Sequence, residues 1–202
     1  SVKFQRFAKN YLRCVRGIDE NLKRIEEKIT DLNSSKVFFI YTSNKGRMLG
    51  EHSWFGSKWI YEESIRIPLI ISSNFTQSSN QIIPNLIQNI DIAPTILEYA
   101  NLDNLKRAQG KSLYKLLEND DSNQSWRDSI YYHHHKFPGE HMIAKHYGIR
   151  TKNFKLVHFY QFGEWEFYDL LKDPQENENI YNIQIFSPKV TEMKKLLNLK
   201  RS

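Results

Sequence analysis

Ser129-Ile-Tyr-Tyr-His-His134 is followed at short intervals by Met142 to Arg150, Phe154 to Tyr160 and Glu166 to Leu170. All four segments are short and rich in aromatic and β-branched residues, which favour extended strands. The intervals between them suit tight turns, so the pattern predicts an antiparallel meander. Apolar residues at helical spacing over 190–197 predict a helix that closes the chain.

Upstream of this meander, the sequence has the pattern of an α/β domain. Val37-Phe-Phe-Ile-Tyr-Thr42 and Ile67-Pro-Leu-Ile-Ile71 are continuous apolar runs, typical of strands covered on both faces. Apolar residues recur every three or four positions from Phe4 to Ile25, which predicts an amphipathic helix. A second helix is expected over 91–100, with Asp91 as its N-cap. Two strands of this kind need further partners, so this part looks incomplete.

The sequence therefore predicts the α/β class with two parts. Residues 1–118 are expected to form the C-terminal part of an α/β domain whose N-terminal half is missing. Residues 119–202 are expected to form a small α+β subdomain with an antiparallel sheet and a terminal helix. The boundary falls in the polar stretch Glu118-Asn-Asp-Asp-Ser-Asn-Gln124.

The composition indicates a globular protein, with 202 residues, 40% of them hydrophobic, and a formal net charge of +6. The first 30 residues hold eight Lys or Arg against four acids, and the interleaved acids favour a solvated helix face over a nucleic-acid surface. No apolar run approaches the ~18 residues of a membrane helix.

The single cysteine, Cys14, excludes an internal disulfide and is expected to be a buried thiol. The N-terminus does not resemble a signal peptide, and the compartment is left open.

The chain contains few of the sequence motifs that indicate a common catalytic site. There is no glycine-rich phosphate loop and no G-x-S-x-G stretch. Six of the seven histidines fall between His133 and His158, but consecutive strand residues point to opposite faces, so at most two of the three adjacent ones can share an ion. A polar patch that hydrogen-bonds sugar hydroxyls is preferred to a metal cluster, with tryptophans as stacking surfaces: Trp54, Trp59, Trp126 and Trp165.

A family resemblance begins at Thr42-Ser-Asn-Lys-Gly-Arg-Met-Leu-Gly-Glu-His52 and continues at Tyr61-Glu-Glu-Ser-Ile-Arg-Ile-Pro-Leu-Ile-Ile71. It extends in family order through His146-Tyr-Gly-Ile-Arg-Thr151 and Trp165-Glu-Phe-Tyr-Asp-Leu170. On these motifs the chain is identified as a member of the type I sulfatases, within the alkaline phosphatase superfamily. It is similar to bacterial N-acetylglucosamine-6-sulfatases and mucin-desulfating enzymes. The resemblance implies a large α/β domain, a smaller C-terminal domain on an antiparallel sheet, and sulfuric ester hydrolysis.

The resemblance also implies a formylglycine nucleophile and a calcium ion. The only cysteine lies in Cys14-Val-Arg-Gly-Ile18, which does not match the nucleophile motif of the family. Two positions that bind calcium in the family are Asn44 and Lys45 in this chain. Asparagine lacks the charge of a carboxylate, and a lysine ammonium at ~4 Å would repel a divalent ion by about 8 kcal/mol. Calcium is therefore the cofactor of the family, but this chain is not expected to bind it.

The family has a sulfate-contacting lysine four residues before the tyrosine that corresponds to Tyr61. This chain has Ser57 at that position and Lys58 next to it. Further substrate contacts are predicted from placement and residue type, and they are His52, His141, His146 and Arg150, with Trp165 as a possible stacking surface.

The predicted function is that of the C-terminal portion of a sulfatase acting on sulfated glycans of the amino-sugar 6-sulfate type. Without the nucleophile motif, and with altered metal and sulfate positions, the chain alone is expected not to turn over, as a truncated sulfatase or pseudoenzyme. Two alternatives stay open: a non-catalytic glycan-binding remnant, and a half-enzyme completed by a separate N-terminal sulfatase chain. The expected partners are a sulfated glycan and, in the second alternative, that chain.

Overall fold

In the computed structural model, the described residues are 2–30, 36–74, 80–118, 125–139 and 142–201. They fall into two units, one made of residues 1–40 and 71–75 and the other of residues 41–70 and 76–202. The predicted boundary at 118/119 differs from this grouping, and the linker after Glu118 lies outside the described residues. The division into 1–118 and 119–202 therefore stays a prediction.

The first unit contains the predicted amphipathic helix, α1 (Val2–Thr30). Its apolar residues remain largely exposed in this unit, including Leu12 and Ile18. The expectation of a buried thiol was wrong, because Cys14 is exposed. Ion pairs between residues four apart, such as that of Arg16 with Glu20 at 2.8 Å, lie along the solvent-facing side of the helix.

Both predicted N-terminal strands are present. They are β1 (Phe38–Thr42) and β4 (Leu69–Ser73), and they pair as a two-stranded sheet. The expectation that they are covered on both faces was wrong. All of β1 is half-buried, and β4 alternates between half-buried and exposed residues. Such alternation is typical of a sheet with one covered face.

The segment between these strands is compact and mostly irregular. It contains the short antiparallel pair β2 (Met48–Leu49) and β3 (Phe55–Gly56), and the single helical turn α2 (Glu62–Ile65). After β4 come α3 (Ile92–Tyr99) and α4 (Tyr114–Leu117). None of the described helices has a stretch long and apolar enough to cross a membrane.

The side chain of Asp91 does not cap α3, although the helix begins where predicted. Its fully buried carboxylate instead accepts from the backbone N–H groups of Gln88 and Lys111, at 2.7 and 2.8 Å, and from both guanidinium ends of Arg127. The burial explains this, because a buried carboxylate requires a charged partner and a full set of donors. Asp91 therefore joins the segment before α3 to the segment before the main sheet.

The predicted meander is confirmed as a four-stranded antiparallel sheet in the order β5 to β8. Tyr132 pairs with Gly148, and Gly148 with Val157. The strand bounds are β5 (Ser129–His134), β6 (His146–Thr151), β7 (Phe154–Phe159) and β8 (Glu164–Asp169).

The two faces of this sheet pack against different elements. One face, with Ile149, Leu156 and Phe167, packs against α5 (Ser187–Arg201), the predicted terminal helix. The opposite face, with Val157 and Phe159, forms a core cluster with Met48 and residues 59–61. Because strand side chains alternate, these faces carry different sets of residues. We call this second face the inner face: His146 and Arg150 lie on it, and the segment that follows Ser57 and Lys58 packs against it.

Candidate functional site

The loop after β1 carries the two positions for which the resemblance predicted a calcium-binding role in the family. Asn44 and Lys45 are both exposed, and the Ser43 hydroxyl donates to the Lys45 carbonyl at 2.8 Å. The next residue, Gly46, donates its backbone N–H to the Ser64 carbonyl at 2.9 Å. A Cβ at Gly46 would lie 2.2 Å from the Glu63 carbonyl oxygen, so only glycine allows this approach. The loop is thus packed directly against α2.

Both backbone polar groups of Lys58, its N–H and its carbonyl, form hydrogen bonds. Its φ is 91°, a conformation that side chains with a Cβ rarely adopt. The Lys58 N–H donates to the Ser64 hydroxyl at 3.0 Å, and the Lys58 carbonyl accepts from the Tyr132 hydroxyl at 2.7 Å. Burial raises the pKa of Tyr132 to about 12, so this hydroxyl remains a donor at neutral pH. Ser57, in contrast, is buried, whereas Lys58 is partly exposed.

His146 lies on the inner face, inside a cluster of aromatic rings. Its ring is nearly parallel to those of Trp59 and Tyr132, with centroids 5.8 and 5.6 Å away, and Phe159 lies at 5.2 Å. The Nδ1 atom lies 2.7 Å from the Ala144 carbonyl, which can only accept, so Nδ1 carries the proton. Burial lowers the pKa of His146 to about 4, and the ring is neutral at pH 7. Its Nε2 atom therefore has a free lone pair, and no partner for it is found among the described residues.

The aromatic cluster reaches the surface beside Lys58. The Trp54 ring lies 4.8 Å from that of Trp59 and is 46% exposed. His134 lies 5.5 Å from His146, and its pKa is lowered by burial and further by the ammonium of Lys58. An exposed aromatic surface, a histidine and a lysine are therefore adjacent at one edge of the inner face. This arrangement suits a ligand with both a sugar ring and an anionic group.

His52 belongs to a neighbouring polar group. Its ring stacks on Tyr61 with centroids 4.3 Å apart, and its Nε2 atom lies 3.6 Å from Glu63 Oε2. The hydroxyls of Tyr61 and Tyr168 both donate to Glu166 Oε2 at 2.9 Å. Burial raises the pKa of Glu166 even though these hydrogen bonds oppose the shift. Glu63 Oε2 has no hydrogen-bond partner among the described residues, whereas the hydrogen bond of Tyr61 to Glu166 fixes the segment that leads into α2.

Arg150 is part of a buried ion-pair network rather than of the aromatic cluster. Its guanidinium lies 3.2 Å from Glu62 Oε2, and Lys155 Nζ contacts Glu62 at 2.9 Å and Glu176 at 2.7 Å. Lys155 also donates to the Ile60 carbonyl at 2.8 Å, and Glu176 accepts from the backbone N–H of Glu62 at 2.7 Å. Burial raises the pKa of Glu176 even though Lys155 lowers it. The network fixes residues 60–62 to the sheet.

The structure brings some of the predicted substrate residues together and separates others. Lys58 and His146 are linked through Tyr132, and Ser57 precedes Lys58 in the chain. Arg150 lies on the same strand face as His146 but four residues away, about 13 Å. His141 lies outside the described residues, and Trp165 pairs with His158 on the opposite, α5-facing side of the sheet. Contact of these residues with a substrate stays a prediction.

The described residues do not fit a calcium site by themselves. Among them, no group of three or more His, Cys, Asp or Glu side chains is placed to hold a metal ion. The two loop positions that the family uses offer an amide and an ammonium, and the ammonium repels a divalent cation. We therefore assign no chemical step to a metal, and the predicted lack of calcium binding remains untested.

Sequence reasoning missed the residues that support the site, namely Tyr132, Lys155 and Glu176. One signal was present, because Lys155 interrupts the apolar stretch of β7 at a position that faces the core. A fully buried lysine is rare unless it is paired. Its partners Glu62 and Glu176 lie far away along the chain, and no local pattern predicts such pairs.

Comparison with known proteins assigns the family. The family model for the C-terminal region of N-sulphoglucosamine sulphohydrolase matches residues 50–202, about three-quarters of the chain. The chain belongs to this sulfatase family. An N-acetylglucosamine-6-O-sulfatase of Bacteroides thetaiotaomicron is 40% identical over 98% of the chain. An arylsulfatase of Clostridium perfringens is 29% identical over 93% of it.

Solved sulfatase structures share the fold. The structure of BT4656 in complex with its substrate D-glucosamine-2-N,6-O-disulfate matches with a TM-score of 0.82 and 39% identity over 93% of the chain. A phosphonate monoester hydrolase of Agrobacterium radiobacter matches with a TM-score of 0.73 at 24% identity, a likeness of fold alone. The chain spans 36% of the Bacteroides sulfatase and 38% of the Clostridium arylsulfatase.

Proposed function

We propose that this chain is the C-terminal region of a sulfatase that removes sulfate esters from glycans, and that its inner face binds a 6-sulfated amino sugar. The family membership supports the reaction class. The 40% identity to an N-acetylglucosamine-6-O-sulfatase, and the likeness to a protein solved with a sulfated glucosamine, support the substrate class.

The observation that carries the proposal is the fixed geometry of Lys58. A backbone φ of 91° at a non-glycine residue is energetically unfavourable, and here the N–H and the carbonyl of Lys58 are both hydrogen-bonded in that conformation. Folding of a surface loop does not by itself require this conformation. Such geometry is typical of residues oriented for a ligand. The Lys58 ammonium is then the group that pairs with the sulfate, displaced by one residue from the family position at Ser57.

The neighbouring side chains have complementary roles in this proposal. Trp54 offers its exposed ring to the apolar face of a sugar. His146 is fully buried, so it supports Trp59 and Tyr132 from behind, and direct contact with a sugar requires the cluster to open. The ion pairs of Glu62 and Lys155 keep the segment that follows Trp59 at a fixed distance from the sheet.

Hydrolysis requires a nucleophile that attacks sulfur, and we propose that this group lies outside these 202 residues. The exposed Cys14 has no sulfatase nucleophile motif around it, and the loop after β1 has an amide at Asn44 and an ammonium at Lys45. In this proposal the chain binds substrate, and turnover depends on further sulfatase sequence in the same polypeptide or in a second chain. The alternative of a non-catalytic glycan-binding remnant predicts the same binding of substrate but no turnover.

The test is a titration with N-acetylglucosamine-6-sulfate, followed by tryptophan fluorescence and by isothermal calorimetry, together with an assay of sulfate release. Trp54 and Trp59 provide the fluorescence signal near the proposed sugar position. We expect binding without release of sulfate. Lys58→Gln should weaken binding at least about tenfold, as expected for the loss of a charge-assisted contact.

The matched control is Lys152→Gln, which removes the same charge from an exposed turn between β6 and β7. It should change the affinity less than twofold. Unsulfated N-acetylglucosamine should bind as weakly to the wild type as the sulfated sugar binds to the Lys58 variant. Equal affinity of the wild type for the two sugars would refute the proposal, and sulfate release by the pure chain would refute its catalytic part.

A further inference from the structure

Where α5 packs against the sheet, on the face opposite to the inner face, two cations lie on aromatic rings. Lys194 Nζ lies 4.3 Å from the ring centroid of Trp165 and 5.0 Å from that of Tyr181. The guanidinium carbon of Arg201 lies 4.5 Å from the ring centroid of Tyr147. The two residues are seven positions apart on α5, so they lie on the same side of the helix, about 10 Å from each other along its axis.

Each of the two cations donates a hydrogen bond to a tyrosine hydroxyl. Lys194 donates to the Tyr181 hydroxyl at 2.6 Å, and Arg201 donates to the Tyr147 hydroxyl at 3.0 Å. Within the part of the chain that the structure describes, no ion pair joins either residue to a carboxylate. By contrast, Lys189 on the same helix pairs with Glu192 at 2.6 Å. Lys194 and Arg201 therefore keep their charge for an external anion.

His158 connects the two cations. Its ring stacks on Trp165 with centroids 3.9 Å apart, and its Nδ1 lies 2.8 Å from the Tyr147 hydroxyl. Lys194 lies over the Trp165 ring on which His158 stacks, and Arg201 lies over the Tyr147 ring whose hydroxyl His158 contacts, so both cations are close to this ring. Burial lowers the pKa of His158, and the two cations lower it further. We call the group the basic aromatic patch, defined as Tyr147, His158, Trp165, Tyr181, Lys194 and Arg201.

We propose that the basic aromatic patch is a second glycan-binding site, which takes a sulfate-bearing segment of a polysaccharide chain. Preformed cations with tyrosine and tryptophan rings beside them match a ligand that combines anionic groups with sugar rings. The choice of a sulfated polysaccharide rests on the proposed function, whereas the anion preference rests on the patch itself. Because the patch lies on the face opposite to Lys58, it would hold a long chain at a distance from the inner face.

The experiment measures binding of a heparin-derived hexasaccharide by calorimetry at a fixed, near-physiological salt concentration. We expect the double variant Lys194→Gln/Arg201→Gln to bind at least about tenfold more weakly than the wild type. Lys195→Gln, an exposed lysine next to Lys194 on the same helix, should change the affinity less than twofold. Circular dichroism and the melting temperature establish that each variant is folded, and a conservative Lys194→Arg/Arg201→Lys pair provides a second test by retaining binding.

Three outcomes would overturn the proposal. An equal loss from Lys195→Gln would mean that only net charge matters. Equal affinity for the desulfated hexasaccharide would remove the role of sulfate, and equal affinity for a DNA oligomer would indicate a general polyanion surface. Failure of the proposed function is recognised separately, because it is read from the monosaccharide titration of Lys58→Gln, which the patch variants should leave unchanged.

Discussion

The ammonium group of Lys155 lies 2.7 Å from the carboxylate of Glu176, and both side chains are fully buried. Lys155 also contacts Glu62 and the Ile60 carbonyl, so one lysine joins β7 to the segment that follows Trp59. Buried ion pairs contribute little net free energy by themselves, but they fix a unique geometry when every member is satisfied. Here that geometry fixes residues 60–62, two positions after Lys58, to the sheet.

Lys155→Met should destabilise the protein by about 3–5 kcal/mol, because it leaves the carboxylates of Glu62 and Glu176 buried without their cation. Urea unfolding at pH 7 measures this change. Lys152→Met, on the exposed β6–β7 turn, is the control and should stay within about 0.5 kcal/mol of the wild type. A loss below about 1 kcal/mol in Lys155→Met would contradict the structural role.

The cost of Lys155→Met should shrink in acid. Burial opposes ionisation of Glu62, but Lys155 and Arg150 overcome it and lower its pKa below the ordinary value of 4.5. A carboxylate with a lowered folded pKa stabilises the fold above its unfolded pKa, and this stability is lost as the pH falls through the folded value. The difference between wild type and variant should therefore be largest above pH 5 and smaller at pH 4, as measured by urea midpoints. A constant difference would exclude Glu62 as the group that Lys155 stabilises.

The sequence predicts the secondary structure well wherever the hydrophobic pattern is strong. The meander from Ser129 to Asp169, the long α1 and the closing α5 all lie within a few residues of the predicted bounds. Alternation of apolar residues determines which face of a strand is buried, and this signal is local. The predicted burial of Cys14 was wrong. The helical pattern predicts which side of α1 is apolar, but it does not predict whether another element packs against that side.

The site is predicted less completely. Family motifs identified Lys58 and the loop at Asn44, and residue type suggested His146. The contact of Tyr132 with Lys58 joins residues 74 positions apart, and the pairing of Glu62 with Lys155 joins residues that are even farther apart in the sequence. Such contacts depend on how β5 and β7 approach the segment 57–62, which a single sequence does not contain. Arg150 is an example. Its placement and residue type predicted a contact with substrate, but in the structure its guanidinium forms an ion pair with Glu62.

His146 should make stability pH-dependent between about pH 6.5 and pH 4. Burial lowers its folded pKa from 6.5 to about 4, so the unfolded state binds the proton more readily. Stability is therefore full above pH 6.5 and falls as the pH approaches 4, by about 3 kcal/mol. His146→Phe keeps a ring between Trp59 and Tyr132 but cannot titrate, and its urea midpoint should lack this part of the pH dependence. Identical pH profiles would show that His146 is not buried in solution.

Arg127→Leu should destabilise the protein by about 3–5 kcal/mol, because it leaves the fully buried carboxylate of Asp91 without its cation. The double variant Arg127→Leu/Asp91→Asn removes the charge as well and should recover part of the loss. Thermal and urea unfolding measure both. If the double variant is no more stable than the single one, the unpaired carboxylate is not the cause of the loss.

Gly46→Ala should affect both stability and sugar binding, because the new Cβ would lie 2.2 Å from the Glu63 carbonyl oxygen. The loop must move away from α2, which breaks the 2.9 Å hydrogen bond from Gly46 to the Ser64 carbonyl and costs about 1–3 kcal/mol. Ser64 also receives the N–H of Lys58, so the affinity for N-acetylglucosamine-6-sulfate should fall together with stability. Gly17→Ala is the matched control, since a Cβ there meets nothing within 4 Å in α1, and it should stabilise the helix by about 0.5–1 kcal/mol without changing affinity. If Gly46→Ala is destabilised but binds the sugar as the wild type does, the loop does not contribute to the site. The position of Lys58 would then depend on its contact with Tyr132 alone.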